Sequence, residues 1–279
     1  MNILITGCNG FIAKALVSYF TNKEHKILLT NRKNLDVRDQ SKVDEFFCNN
    51  NIDFVIHTAV VGGKRNHIES VNDLFDNLIM YNNLYRNKHK FKMMINIGSG
   101  AEFDRRTDID QASEAEVFNS NPIDYYGLSK NLITRKCYDS NNIYNLRLFG
   151  CFGIQEEEQR LIKSTFNSCI SDLDLIVHQD KYMDFFYVKD FCKVVEFYIE
   201  NHNSTLFRDV NLCYKTKETI KNIVFLIKDL TNSKNSVILS NNIFGHSYSG
   251  CAQNIQAYNL KLYGLTQGVE ECLKNWKKY

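Results

Sequence analysis

Proline is nearly absent: Pro122 is the only one in 279 residues, so proline cannot serve as general loop punctuation. An excess of one charge is also missing. The 34 basic and 32 acidic side chains leave a net +2, which provides no field to draw the chain to nucleic acid or a membrane. No apolar run approaches the roughly 20 residues that span a bilayer. The nine cysteines (Cys8, Cys48, Cys137, Cys151, Cys169, Cys192, Cys213, Cys251, Cys272) are odd in number and contain no CxxC pair. That argues against a disulfide framework or a zinc site and predicts reduced, mostly buried thiols. The seven histidines show no HxxxH spacing, so no metal is expected. The N-terminal apolar run breaks by residue 7, too early for a signal peptide. With the thiols, this predicts a cytoplasmic protein.

The rest of the composition is that of a globular chain. Hydrophobic residues make up 44% and charged residues 24%, enough for a sizeable core and unlike a disordered or fibrous chain. The 33 asparagines fit an AT-rich genome as readily as a structural need. Short β-rich runs at 2–6, 27–29, 53–57, 92–97 and 144–149 alternate with helical spacing at 11–20, 43–47, 66–88 and 124–140. A polar stretch without a period fills 100–121. The alternation predicts an α/β fold of Rossmann type, a doubly wound parallel sheet with helices on both faces. Beyond residue 150 the pattern is irregular, with helices expected at 157–170, 189–202, 217–231 and 267–277 and strands at 173–177 and 236–239. We therefore expect a domain over 1–150, to which part of 179–213 returns. A smaller, discontinuous substrate lobe occupies 151–279.

Gly7-x-x-Gly10-x-x-Ala13 joins the first strand to the first helix. Gly7 permits a tight turn, Gly10 lets the backbone approach a pyrophosphate, and Ala13 lets the helix pack on the strand. The helix N-terminus offers free N–H groups to phosphate. Taken alone, such a turn is also an ordinary strand–helix connection. At the extreme N-terminus it reads as a dinucleotide site that includes Gly7, Asn9, Gly10, Phe11 and Ile12. The second strand ends Leu29-Thr30-Asn31-Arg32-Lys33. No carboxylate stands there to accept from an adenosine ribose, whereas Arg32 suits a 2′-phosphate. The expected cofactor is NADPH, with NADH as the alternative. A pair of solvated basic residues is the competing explanation.

Tyr126 and Lys130 stand four apart on a helix, hence on one face. Ile97-Gly98-Ser99-Gly100 closes the fourth strand, at the sheet edge where α/β proteins place functional groups. A neighbouring ammonium favours phenolate, so Tyr126 can act as an acid–base group, and Ser99 can steady charge on a substrate oxygen. A tyrosine and lysine at this spacing are also common on solvated helices. It is the combination with the glycine turn and Ser99 that carries weight.

Glycine turn, Ser99 and Tyr126/Lys130, in this order and spacing, resemble the extended short-chain dehydrogenases/reductases that act on nucleotide sugars. Within them the chain is most similar to the GDP-fucose synthase branch. The shared stretches are Arg32, Leu35-Asp36-Val37, Ile52-Asp53, Val61-Gly62-Gly63, Asp76-Asn77, Gly98-Ser99 and Tyr126-x-x-x-Lys130. The resemblance implies adenine contacts from Asp36 and Val37. It implies a loop flanking the cofactor at Thr58, Ala59 and Val60, and further cofactor contacts from Asn77, Lys130 and Phe149. It implies substrate contacts from Gly62, Gly63, Gly100, Tyr126 and Gly150. Asp184-Phe-Phe-Tyr-Val-Lys-Asp190 is similar to the family's C-terminal block.

The departures select the reaction. Dehydratases of the family carry an Asp-Glu pair after the serine or threonine, where this chain has Gly100 and Ala101. Fucose synthases carry a cysteine at the position of Ala101, and a histidine where Ile154–Gln159 has none. Double epimerisation needs such an acid–base pair. The expected activity is NADPH-dependent reduction of the C4 ketone of a nucleotide-diphosphate 4-keto-6-deoxy sugar without epimerisation. The alternatives are an NAD-dependent epimerase, a bifunctional epimerase/reductase, or a catalytically silent dinucleotide-binding protein. Met183 replaces an arginine that grips phosphates in the family, so Arg160 and Lys163, at i and i+3, are the diphosphate candidates against a solvated helix face. Glu156-Glu157-Glu158 is expected to face solvent. His57 is expected to be structural. Resemblance also implies a homodimer through helices 66–88 and 124–140.

Overall fold

The computed structural model describes residues 1–276 except Asn22 and Arg65. The chain runs β1 (Asn2–Thr6), α1 (Phe11–Phe20), β2 (Lys26–Thr30), α2 (Gln40–Asn49), β3 (Phe54–His57), α3 (Val71–Arg86), β4 (Met93–Ser99), β5 (Ile109–Ala112), α4 (Tyr125–Cys137) and β6 (Ile143–Leu148). It continues with β7 (Cys151–Phe152), α5 (Leu161–Ile170), β8 (Leu175–Gln179), β9 (Phe186–Tyr187), α6 (Val188–Glu200) and β10 (Asp209–Leu212). It closes with α7 (Ile220–Thr231), β11 (Val237–Asn241), β12 (Tyr248–Gly250), α8 (Gln253–Ala257) and α9 (Gly264–Trp276).

Six of these strands form one sheet in the order β2-β1-β3-β4-β6-β10, with β1 parallel to both β2 and β3, and β3 parallel to β4. The expected doubly wound α/β sheet is thus present. Strand order reverses at β1, between β2 and β3, and the ends of strands at such a switch point are where ligands bind. Strands of this kind are buried on both faces and read as continuous apolar runs. Ile3, Leu4 and Ile5 are wholly buried, and all seven residues of β4 are buried. Leu4, Val55 and Met94 meet Val43 and Phe47 of α2, Met80, Tyr81 and Leu84 of α3, and Ile133 of α4 in one core.

The chain separates into two compact units. One comprises Met1–Asp104, Glu114–Arg147 and Cys192–Val210; the other comprises Arg105–Ser113, Leu148–Phe191 and the chain from Asn211 on. In the second unit β8 pairs in parallel with β11, β5 with β12, and β7 with β9, and α7 packs on α5 and β8. The polar stretch after β4 contains β5 and short 3₁₀ turns at Gly100–Glu102 and Glu114–Phe118. Helix α3 begins at Val71, five residues later than its apolar spacing predicts. A capping box of Ser70 and Asp73 stops the helix there, and Asp73 also takes His67. Six of the nine thiols are buried. No helix of the described residues is long and apolar enough to cross a membrane.

Candidate active site

The glycine turn has the geometry its spacing demands. Gly7 adopts φ +65°, and a Cβ there would stand 2.7 Å from the Ala59 Cα, so a side chain is excluded by backbone strain and by contact. Gly10 is the N-cap of α1 and donates its N–H to the Gly7 carbonyl at 3.0 Å. A Cβ on Gly10 would meet only that carbonyl oxygen, at 3.4 Å, so the approach to the backbone is open. No side chain caps α1 and no acidic residue stands in its first turn. An anion therefore meets unopposed N–H groups at Phe11 and Ile12. Asn9 is exposed beside them. The residues present fit a dinucleotide.

The floor of this turn is built from β1 and β3. Thr6 Oγ1 accepts the Ala59 N–H and bonds His57 Nδ1 at 2.9 Å, and the Thr58 hydroxyl donates to the Thr6 carbonyl. Burial drives the His57 pKa down to about 3, aided by the Lys130 charge, so the ring is neutral and structural. Beyond β2, three asparagine-built contacts fold the turn that carries Arg32 and Lys33. The Asn31 N–H donates to Asn34 Oδ1, the Lys33 N–H to Asn31 Oδ1, and Asn34 Nδ2 to the Leu29 carbonyl. Both basic side chains are exposed.

The Asp36 carboxylate receives the Arg38 guanidinium through two nitrogens, and Arg38 also bonds Asp76 at 2.8 Å. This ion pairing holds Asp36 below the usual carboxylate range. Val37 is buried beneath, its carbonyl taken by Asn83. Asn77 is 2% exposed and spends its amide on both backbone groups of Val61 and on the Ser129 hydroxyl. It fastens the 58–63 loop from below, which makes it a support for that loop. Val60 stands 44% exposed on it.

Contacts of α4 with the end of β4 and with the 62–63 loop place Ser99, Tyr126 and Lys130 on neighbouring elements. Helix α4 starts at Tyr125 because Asp124 caps it, accepting the Gly127 N–H at 2.7 Å. Gly127 sits where a Cβ would be 2.5 Å from the Ala101 carbonyl, so only glycine lets the first turn of α4 lie on the turn after β4. The Tyr126 N–H is held by Glu69. The Tyr126 ring rests on Gly62 and Gly63, both at positive φ, and a Cβ on Gly63 would reach 2.8 Å from Tyr126 Cζ. These two glycines, expected to touch substrate, form the bed of the tyrosine.

Lys130 is 6% exposed, donates to the Ile97 carbonyl of β4 at 2.7 Å, and lies 6.0 Å from the Tyr126 ring centroid. Burial lowers its pKa to about 8, against the opposing pull of Glu102. Ser99 ends β4 with its Oγ accepting the Ala101 N–H, and its side chain also takes the Glu102 N–H in a capping box with Gly100 as the first turn residue. With its acceptor side occupied, the hydroxyl is left to donate.

The second unit holds the remaining predicted residues. Phe149 is buried with its ring edge-on to Tyr248 at 5.3 Å. Gly150 faces the Asp184 carbonyl, 2.8 Å from where a Cβ would be, which explains glycine at this position. Asp184 is buried, accepts Lys217 at both oxygens and takes the Gly250 N–H. Arg160 stands at the first position before α5, makes no side-chain cap bond, and keeps a 39% exposed side chain. Lys163 is spent internally: it donates to the Ile154 and Glu156 carbonyls, pairs with Glu158 at 2.6 Å and lies 5.5 Å from the Trp276 ring centroid. That occupancy removes Lys163 from the diphosphate candidates and leaves Arg160. The expectation of a solvated acidic run also needs correction. Glu157 and Glu158 are exposed, but Glu156 is 4% exposed because the chain turns inward there before α5.

The NAD dependent epimerase/dehydratase family matches residues 3–213. The chain belongs to this family. A curated relative, GDP-L-colitose synthase of Yersinia pseudotuberculosis, is 26% identical over 112 residues, which are 39% of this chain and 36% of that protein. The fold is similar to that of the GDP-mannoheptose C4 reductase of Campylobacter jejuni, solved with NADP bound, at 18% identity and a TM-score of 0.83 over 100% of this chain and 98% of that one. It is likewise similar to a dTDP-4-dehydrorhamnose reductase of Clostridium acetobutylicum, at 18% identity and a TM-score of 0.85, over 99% and 100% of the two chains.

Ser99 lies on a buried ionic network. Glu102 accepts the Ser99 N–H at 2.7 Å and the Arg147 Nε at 2.6 Å, and Arg147 Nη2 reaches Asp209 at 2.6 Å. Its sequence signal is Ser99-x-x-Glu102, the capping-box spacing.

Proposed function

We propose that the chain is an NADPH-dependent reductase of the C4 ketone of a nucleotide-diphosphate 4-keto-6-deoxy sugar, acting without epimerisation in deoxysugar biosynthesis. The observation that carries the reading is the grouping of a buried lysine, a glycine-bedded tyrosine and a donor serine around the end of β4. Two similar folds named above are sugar C4 or 4-keto reductases, which supports the same choice. The first unit would hold the dinucleotide and the second the nucleotide sugar, with Arg160 toward its diphosphate.

NADPH, when bound, supplies the hydride. Gly7, Gly10 and the start of α1 would hold its phosphates and Arg32 its 2′-phosphate. The chain's own residues supply the rest. Tyr126 gives its hydroxyl proton to the carbonyl oxygen as C4 becomes an alcohol carbon. The Lys130 ammonium stabilises the phenolate left behind. Ser99 donates to the same oxygen and steadies its developing charge. Ala101 and the histidine-free 154–159 segment leave no pair at those positions to move protons at C3 and C5.

The test is stoichiometry. Incubated with 4-keto-6-deoxy nucleotide sugars, the purified protein is expected to consume one NADPH per sugar reduced, with solvent deuterium absent from C3 and C5. Sugar interconversion without net NADPH loss would instead establish an epimerase. A homodimer belongs to the same proposal. Val71, Phe75 and Ile79 form a stripe on α3, and Tyr125 and Leu132 lie on the neighbouring α4, all at least 39% exposed. Sedimentation near twice 32.5 kDa is expected; a monomer at micromolar concentration would remove the dimer from the proposal.

A further inference from the structure

Tyr126 stands in the first turn of α4, where main-chain N–H groups have no partner inside the helix. Asp124 accepts the Gly127 N–H. The Tyr126 N–H donates to Glu69 Oε2 at 2.9 Å, on a residue 57 positions earlier in the chain. The Tyr126 carbonyl accepts the Ser129 hydroxyl at 2.7 Å. Asn77 Nδ2 in turn donates to Ser129 Oγ at 3.0 Å and to the Val61 carbonyl at 2.9 Å, while Asn77 Oδ1 accepts the Val61 N–H. The tyrosine is thus held by its main chain as well as by its ring.

The loop before α3 touches this one residue twice. Gly62 and Gly63 lie under the ring, and Glu69 meets the main chain. Beyond Glu69 the loop is fixed at once: the Ser70 N–H donates to Asp73 Oδ2 at 3.0 Å, and His67 Nε2 bonds the same oxygen at 2.6 Å. Two consecutive glycines at positive φ give the ring room but no stiffness of their own, because glycine has the most backbone freedom to lose. The bed is only as firm as the contacts on either side of it. Asn77 supplies one, at Val61, and Glu69 supplies the other.

We propose that Glu69 is a positioning residue for the reaction: its carboxylate ties the glycine loop to the start of α4 and so fixes how the Tyr126 ring, and with it the hydroxyl, stands over Gly62 and Gly63. Ser99 and Lys130 have anchors of their own, in Glu102 and the Ile97 carbonyl, so loss of the Glu69 contact falls on the tyrosine. Misplacing a reacting group by 1 Å can cost on the order of 100-fold in rate. The kinetic consequence rests on the reductase reading; the tether itself does not.

The test compares two variants. Glu69→Ala removes the acceptor, whereas Glu69→Gln keeps an oxygen at the same reach and discards only the charge. In Glu69→Ala, kcat is expected to fall by about 10- to 100-fold with the KM for NADPH unchanged, and Glu69→Gln is expected to stay near the parent. Amide hydrogen exchange in the cofactor-free protein reads the tether directly. The Tyr126 N–H is expected to exchange at least about tenfold faster in Glu69→Ala than in the parent or Glu69→Gln, the least that a hydrogen bond to a charged group is worth. The Lys130 N–H, inside the helix, should not change. Should Glu69→Ala not fold, Glu69→Ser, whose side chain is too short to reach α4, carries both measurements. Equal Tyr126 exchange in parent and Glu69→Ala, an unchanged kcat in Glu69→Ala, or a Glu69→Gln as slow as Glu69→Ala would overturn the proposal. If the parent turns over no nucleotide sugar, the reductase reading fails and the exchange rates alone decide the tether.

Discussion

Tyr126→Phe should lose roughly three orders of magnitude in kcat while still binding NADPH. A positioned acid is worth about 10²- to 10⁴-fold, and the proposed reduction has no second proton donor at the ketone oxygen other than a serine hydroxyl. The substitution is conservative for the fold. Gly62 and Gly63 touch ring carbons of Tyr126, which phenylalanine keeps, and Glu69 holds the main-chain N–H. Cofactor fluorescence quenching should therefore be unchanged, and the loss should fall on kcat. The pH dependence of the parent enzyme is set from the same place. Lys130 is lowered to about 8, so the charged form that supports Tyr126 is complete below that pH and is lost as pH rises through it. The rate of reduction should fall above about pH 8. Turnover within tenfold of the parent in Tyr126→Phe would remove Tyr126 from the role of proton donor; no turnover in the parent with any nucleotide sugar would point to the silent dinucleotide-binding protein.

Five of the six sheet strands were legible because buried parallel strands are largely apolar runs, as in Ile3–Ile5 and Met93–Ile95, whereas β10, Asp209–Leu212, carries no such run. Helix starts were less so. Apolar spacing alone carried the third helix back to residue 66, whereas the Ser70/Asp73 box ends it at Val71. The glycine turn and the Tyr126/Lys130 pair could be read because their chemistry depends on local spacing.

The roles of Gly62, Gly63, Asn77 and Lys163 could not. Each depends on what lies across the fold: a tyrosine ring, the Val61 backbone, or the Ile154 and Glu156 carbonyls. A basic side chain near a helix start has the same sequence signature whether it meets a diphosphate or its own chain. The asparagine excess gained at least local uses, in the turn after β2 and in the buried hydrogen bond from Asn96 to Asn145. The acidic run at 156–158 misled for a similar reason, since three consecutive glutamates do not show which one turns inward.

That inward glutamate carries the second large effect. Glu156→Gln should raise the melting temperature at pH 8 by roughly five to ten degrees. Glu156 is 4% exposed; Oε1 is buried without a hydrogen-bond partner among the described residues, and Oε2 lies 3.9 Å from the half-exposed Arg160. Burial raises its pKa to about 8, with Arg160 and Lys163 pulling down and Glu158 pushing up. The folded chain keeps the proton that the unfolded chain releases above its ordinary value of 4.5. Stability is therefore full below about pH 4.5 and declines as pH rises toward 8, by on the order of a few kcal/mol at 1.4 kcal/mol per unit. Glutamine has the shape of the neutral acid and releases no proton in either state, so it escapes the decline. For a chain of this size each kcal/mol moves the melting temperature by about 2–4 °C. Melting curves of the two proteins should coincide near pH 4.5 and separate progressively up to pH 8. Equal melting temperatures at pH 8 would mean that water or Arg160 already solvates the carboxylate, and that Glu156 ionises in the folded chain at ordinary pH.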